Sequence, residues 1–377
     1  MAEILIGKKL MILPGIRYEK ENTTYEGYHI ELLWANANGV RGTPDSVSID
    51  RENDFFFPSL NLKYRLNDWS LIQGAIYKSA TRPDFRLLSP TVVITELTTE
   101  PFTSGNPFLK PSIAWNYDLG FSVHSNKIGL LSLNLFYKKV DGFIFTLNNY
   151  FPHRRDRIVD AKAPEGLLDI LPADNFYPMD RLDDVHKTNI PFNNFESATY
   201  SGLELSWQTN FWYLPKALSG LVLDVNVTML RSNTRYPYFE DVVIGIDSSG
   251  FFPRDIIGYE YNLTEGRLVN QPNAILNLIL GWDYKGFSSR FSFRYQGNTL
   301  QNQDSRLSLS NSFYDTFVWM DVSLKQKITK NISVFANLTN VSQHIDDYFI
   351  RFGGHTTLPT NSEQYGLRGQ FGITYRY

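Results

Sequence analysis

The chain has 377 residues, no cysteine and a formal net charge of -3. Without thiols, cysteine nucleophiles and thiolate metal sites are excluded, and the absence of a basic surplus argues against a nucleic-acid partner. No apolar run reaches about eighteen residues, which excludes a transmembrane helix but not membrane-crossing strands. The aromatic share is 15%, with 22 Tyr and 27 Phe. That richness fits a barrel, whose aromatics gather in two girdles at the membrane interfaces.

Taken in order, the sequence yields about twelve strand candidates, recognised by apolar and polar residues alternating with a period of two. Leu10, Ile12, Ile16 and Tyr18 alternate with Arg17 and Glu19. Leu60, Leu62, Tyr64 and Leu66 alternate with Ser59, Asn61, Lys63 and Arg65. From Trp69 to Lys78 the pattern weakens, because Ile72 and Ile76 are out of phase with Leu71 and Tyr77. Clear rows return at Trp115–Val123, Leu131–Tyr137, Leu203–Trp207, Leu221–Met229, Ala274–Tyr284, Phe291–Tyr295, Val318–Leu324 and Ile332–Leu338. The last stretch, Tyr365 to Tyr377, alternates for about thirteen residues, against the roughly five or six of an ordinary strand. It predicts a barrel-closing strand that carries Phe371, Ile373, Tyr375 and Tyr377 on its apolar face.

The connections alternate in length. Tight turns are predicted at Asn67–Asp68, Ser125–Lys127, Lys285–Gly286 and Thr329–Asn331. Long segments lie between them, at 37–54, 80–112, 150–195, 233–267, 299–313 and 344–363. Outer-membrane barrels have this asymmetry, with short periplasmic turns and long extracellular loops. A soluble sandwich is the competing reading, but it favours shorter strands at regular spacing. The fold class expected is therefore all-β, a transmembrane antiparallel β-barrel in a Gram-negative type of cell outer membrane.

Several stretches resemble those of TonB-dependent receptors, the energy-coupled transporters of that membrane. They are YKSATRPDF (77–85), GNPFLKP (105–111), AWNYDLG (114–120), ATYSGLELSWQ (198–208), LVNQPNAILNLILGW (268–282), VFANLTN (334–340) and YGLRGQFGITYRY (365–377). The resemblance implies a barrel of about twenty-two strands around a plug. On that reading, residues 1–377 are the C-terminal portion of the barrel. The signal peptide and the plug domain would be absent. The contact with the periplasmic energy-coupling protein TonB would run through the missing N-terminal part. It further implies uptake of a scarce extracellular small-molecule ligand, whether an iron chelate (siderophore), a corrinoid or a glycan. A passive porin or an adhesion barrel is the alternative.

No catalytic constellation emerges, so no enzyme activity, cofactor or metal site is expected; the six histidines are scattered without ligand spacing. Ligand contact is expected from the long loops. Arg154, Arg155 and Arg157 offer positive charge at the outer mouth, and Phe176, Tyr177, Tyr236 and Tyr238 offer rings for stacking. Packing of those rings among the loops themselves is the other reading. The inward polar row (Lys63, Arg65, Asp118, Lys138, Glu204, Asp224, Arg290, Arg294, Asp321, Lys325) is expected to line the interior. Trp69, Trp115, Trp207, Trp212, Trp282 and Trp319 are expected to anchor against lipid.

Overall fold

The computed structural model describes residues 2–30, 44–89, 92–93, 102–151, 156–159, 163–171, 187–303, 311–352 and 356–377. Alternation fixes which face of each strand is apolar, and antiparallel pairing then aligns those faces into one wall. The wall strands are β1 (Ile4–Ile6), β2 (Leu10–Ile30), β3 (Pro44–Asn67), β4 (Ser70–Thr81), β5 (Ser112–Ser125), β6 (Gly129–Asp141) and β7 (Ala198–Asn210). They continue with β8 (Leu221–Asp247), β9 (Ala274–Tyr284), β10 (Phe287–Gln296), β11 (Phe317–Lys327), β12 (Ile332–Thr339) and β13 (Arg368–Tyr375). Each pairs with the next in sequence order, and the strand Arg254–Gly266 joins the upper part of β8, making a 14-stranded sheet. All twelve expected strands are in this wall, and Ile4–Ile6 adds one more. The wall is open: β1 and β13 lie at its two ends.

The outer face is greasy and uncovered. Leu60, Leu62, Ile76, Tyr117, Leu119, Leu133, Leu135 and Tyr137 are each between 37% and 52% exposed, and the register Leu60↔Ile76↔Tyr117↔Tyr137 puts them on one surface. A monomer in water rarely shows so continuous an apolar patch. The same register settles the phase of β4. Ile72 and Ile76 point outward, while Leu71, Gln73, Ala75 and Tyr77 share the inner face with Asn116 and Asp118.

The tight turns fall where expected and share one end of the sheet. Lys285 and Gly286 both have positive φ, 47° and 84°, the two-residue geometry that matches the strands' twist and that glycine adopts without strain. Asn67 Oδ1 accepts from Trp69 N and Ser70 Oγ, and Thr329 Oγ1 accepts from Asn331 N and Ile332 N. At this end Trp207, Trp212 and Trp282 donate their indole N–H to carbonyls of Ile128, Asn126 and Ala217. That satisfies their one polar atom and leaves the rings to anchor the wall. Trp319 departs from expectation: it pairs in register with Arg294 on the inner face and donates to Asp321 Oδ1 at 2.8 Å.

At the opposite end, several of the expected loops are largely β-structure in their described residues. β2 and β3 run as one ladder of 21 residue pairs, from Leu10↔Tyr64 to Ile30↔Pro44, so most of 44–54 is strand. β8 has 27 residues and turns back into Arg254–Gly266, and Ile345–Phe352 pairs with Thr356–Gln364. The sequence reading stopped strands near bilayer length, but a hairpin standing in water has no such limit. The closing strand errs the other way. Gly366, with φ of +67°, interrupts the alternation, and the paired strand is the eight residues Arg368–Tyr375.

Candidate functional site

The described residues of two long connections, within 82–111 and 142–197, fold back over the inner surface of the wall's upper end. Their short strands Val92–Val93, Phe102–Ser104, Ile144–Tyr150 and Thr188–Asn193 form a four-stranded sheet of their own. Beneath it lies the main apolar cluster. Phe143, Phe145, Tyr150, Ile190 and Phe192 from this roof pack with Ala198, Tyr236, Phe239, Tyr259 and Tyr261 from the wall and its extension. Phe145 meets both Phe192 and Tyr236 edge-on at 5.7 and 5.3 Å, the favourable arrangement for ring quadrupoles.

Asparagines bolt this roof down. Asn106 is fully buried; its Nδ2 donates to Ile170 O at 2.9 Å and to Pro191 O at 3.0 Å, while Oδ1 accepts from Phe108 N at 2.9 Å. Asn193 Oδ1 accepts from Lys110 N, and its Nδ2 donates to Lys110 O and Gly142 O. Asn194 Nδ2 donates to Arg235 O. Each closes polar backbone that would otherwise be buried unpaired, which is costly. The sequence carried a signal for the first, since Asn-Pro in GNPFLKP marks a turn. It gave none for the partners 64 and 85 residues away.

At the lip of β2–β4, Arg82 bridges Glu19 at 3.0 Å and Glu21 at 2.7 Å. These two hydrogen bonds, Glu21 first, hold the guanidinium pKa above its ordinary value. Arg82 lies over Phe55 and Arg17 over Phe57, and the two rings stack at 5.6 Å. Further round, Thr299–Asn302, Asn311–Tyr314, Ile345–Phe352 and Thr356–Gln364 form a second four-stranded sheet.

Of the residues predicted for ligand contact, Arg154, Arg155, Phe176 and Tyr177 lie outside the described residues. Arg157 Nη1 donates to Ile257 O at 3.4 Å, at the edge of the roof. Tyr236 is 1% exposed, and its hydroxyl donates to Arg267 O at 3.0 Å; burial pushes its phenol pKa well up. Packing is the place the structure gives that ring. Tyr238 is half-buried. Phe251 and Phe252 sit at the tip of the long hairpin, 94% and 73% exposed. On the inner wall, Lys63, Asp118, Lys138 and Glu204 meet in a cleft of about 630 Å³. Phe371, Ile373, Tyr375 and Tyr377 are exposed on the final edge, and β13 pairs with β12 alone among the described strands.

A wall that is apolar outside and polar inside, with turns at one end and folded loops roofing the other, is the architecture of an outer-membrane β-barrel. The chain belongs to the TonB dependent receptor-like β-barrel family, whose model matches residues 1–341. Solved structures agree on the fold. The Serratia marcescens hemophore receptor HasR, solved with its hemophore HasA and heme, superposes with a TM-score of 0.56 at 13% identity, over 98% of this chain and 49% of that one. The ferric-catecholate import receptor Fiu of E. coli K12 gives 0.56 at 14%, over 99% and 43%. The copper transporter OprC gives 0.56 at 11%, over 99% and 46%. The chain thus spans a little under half the length of these structures. No curated protein matches it in sequence.

Proposed function

We propose that this chain forms the ligand-receiving C-terminal part of an outer-membrane receptor that imports a scarce ligand by TonB-coupled transport. The observation that carries the reading is the roofed mouth. Two loops are bolted through Asn106 and Asn193 over the inner surface of a lipid-facing wall, so a ligand arriving at the loop end meets folded structure rather than an open pore. In the complete receptor, the edges at β1 and β13 pair with further strands, since unpaired ladder edges are not tolerated in hydrocarbon. The plug fills the lumen against the inner polar row and carries the contact to TonB. The related structures' cargoes, heme, ferric catecholate and copper, keep iron chelates in the ligand class alongside corrinoids and glycans. The protein is a transporter and not an enzyme.

A passive porin is the alternative reading. Uptake of labelled candidate ligands by cells carrying the complete receptor separates the two. Collapse of the inner-membrane proton gradient abolishes uptake through a coupled receptor. Unchanged uptake after collapse overturns the proposal in favour of the porin.

A further inference from the structure

Two cationic side chains lie close together at the mouth. Arg267 and Arg351 both lie over the Phe313 ring, 5.4 and 5.0 Å from its centroid, so their charges are within about 10 Å of each other. Arg351 also lies over Phe349, which stacks on Phe313. Arg267 is half-buried and has one neutral side-chain partner, Asn298 Oδ1, at 2.8 Å. Neither arginine has a carboxylate within ion-pairing distance among the described residues. Burial, and then the Arg351 charge, lower the Arg267 pKa. Two like charges held together in a partly desolvated place are unfavourable unless an anion joins them.

Close to the Arg267 main chain, between the two loop sheets, is a cleft of about 190 Å³ that neither arginine lines. Its lining includes Thr146, Asn270, Gln301, Asn302 and Gln303, with the Tyr236 ring among its apolar walls. Two links join it to the backbone segments that carry the arginines. Tyr236 donates to the Arg267 carbonyl, and Gln303 Oε1 accepts from Asn311 Nδ2 at 3.2 Å, where Asn311 is the register partner of Arg351. Side-chain amides both donate and accept, the pattern that hydroxyl groups satisfy.

We propose that Arg267 and Arg351, with the amide-lined cleft close to the Arg267 main chain, form a subsite for an acidic, hydroxyl-rich small molecule. The guanidinium forks take its carboxylates, and the amides take its hydroxyls. This rests on the receptor reading only for the ligand's arrival from the loop side; the subsite itself is a matter of binding, independent of transport.

The test is binding to the complete receptor, purified from membranes in detergent, by calorimetry. The probes are an oligogalacturonate, citrate and the neutral sugar maltotriose. The expectation is that at least one acid binds, that maltotriose does not, and that raising salt from about 0.05 to 0.5 M weakens the binding. Arg267→Gln or Arg351→Gln each lowers affinity about tenfold, and Arg351→Lys retains part of it. Oligogalacturonate binding assigns the carboxylate to a sugar, and citrate binding alone assigns it to a compact polycarboxylate; either upholds the subsite. Binding of maltotriose equal to the acids overturns it, as does failure of both acids to bind or full acid affinity in the folded double Gln variant. Folding is checked by circular dichroism and by the unchanged thermal transition of the wall. Loss of energy-coupled uptake with charge-dependent binding intact would strike the transport reading and leave the subsite standing.

Discussion

Asn106→Ala should open the roof while sparing the wall. The substitution removes one acceptor and two donated hydrogen bonds at a fully buried position. It strands the carbonyls of Ile170 and Pro191 and the amide of Phe108. A buried polar group left unpaired costs about 1–3 kcal/mol, so three such groups give about 3–9 kcal/mol before water recovers part of it by entering. None of these groups belongs to the barrel ladder, so the cost is on local opening of 82–111 and 142–197. At about 1.4 kcal/mol per tenfold, a loss near 4 kcal/mol raises the open population roughly thousandfold. Amide hydrogen exchange on the complete receptor reads this directly. Protection should collapse in Ile144–Tyr150 and Thr188–Asn193 and persist in Leu203–Trp207. Asn106→Asp sharpens the test. It keeps the acceptor for Phe108 N but sets an oxygen against two carbonyl oxygens in a buried place that raises the carboxyl pKa, so the roof should be better protected at low pH, where the carboxyl is protonated, than at pH 8. Unchanged roof protection in both variants, or equal loss across roof and wall, would refute the reasoning.

Leu135→Arg, midway along an outward face, should cost about 2–4 kcal/mol in denaturant titrations of the lipid-embedded receptor; a neutral or stabilising effect would mean that this face meets water. Gly105→Val should loosen the same roof as Asn106→Ala, because a Cβ there would lie 2.0 Å from Ser89 O; undiminished protease resistance of the loops would contradict it. In alkaline titration, burial raises the phenol pKa values of Tyr236 and Tyr261, so both stay neutral where ordinary tyrosines, near pKa 10, ionise. Their contribution is fully present below about pH 10 and is lost as pH climbs through the raised values. Roof protection should therefore fall only in strongly alkaline solution, in step with late tyrosinate absorbance. Arg82→Gln should cost under about 1 kcal/mol, since its ion pairs are largely exposed, and a large destabilisation would assign that lip a structural role beyond them.

The wall was legible because a period of two survives any tertiary context in which one face meets lipid and the other water. Leu203, Leu205 and Trp207 declare their side without knowledge of a partner. β4 was ambiguous for a physical reason: Leu71 and Tyr77 are apolar residues on the inner face, so hydrophobicity alone does not mark the side. Trp319 lies inward because its parity, set by the outward Val318 and Met320 on either side, outweighs the preference of an indole for the membrane interface. The long hairpins are not legible as strands because a bilayer sets the expected length and paired backbone in water has no such limit. The site was the least legible part. The pairing of Asn106 with Ile170 and Pro191 engages main-chain carbonyls, which every residue type offers equally. The approach of Arg267 to Arg351 depends on how two separate connections come to lie side by side.

The ladder of β2 with β3 has 21 rungs, about twice what a tilted strand uses to cross hydrocarbon. At about 3.3 Å per residue, the surplus of about ten residues makes a mast some 30 Å tall, stiffened by paired backbone throughout. In a receptor embedded by its wall, that mast, like the longer hairpin from β8, would stand within reach of an approaching antibody or phage tail, and shortening it should change recognition by such visitors while leaving small-molecule capture intact.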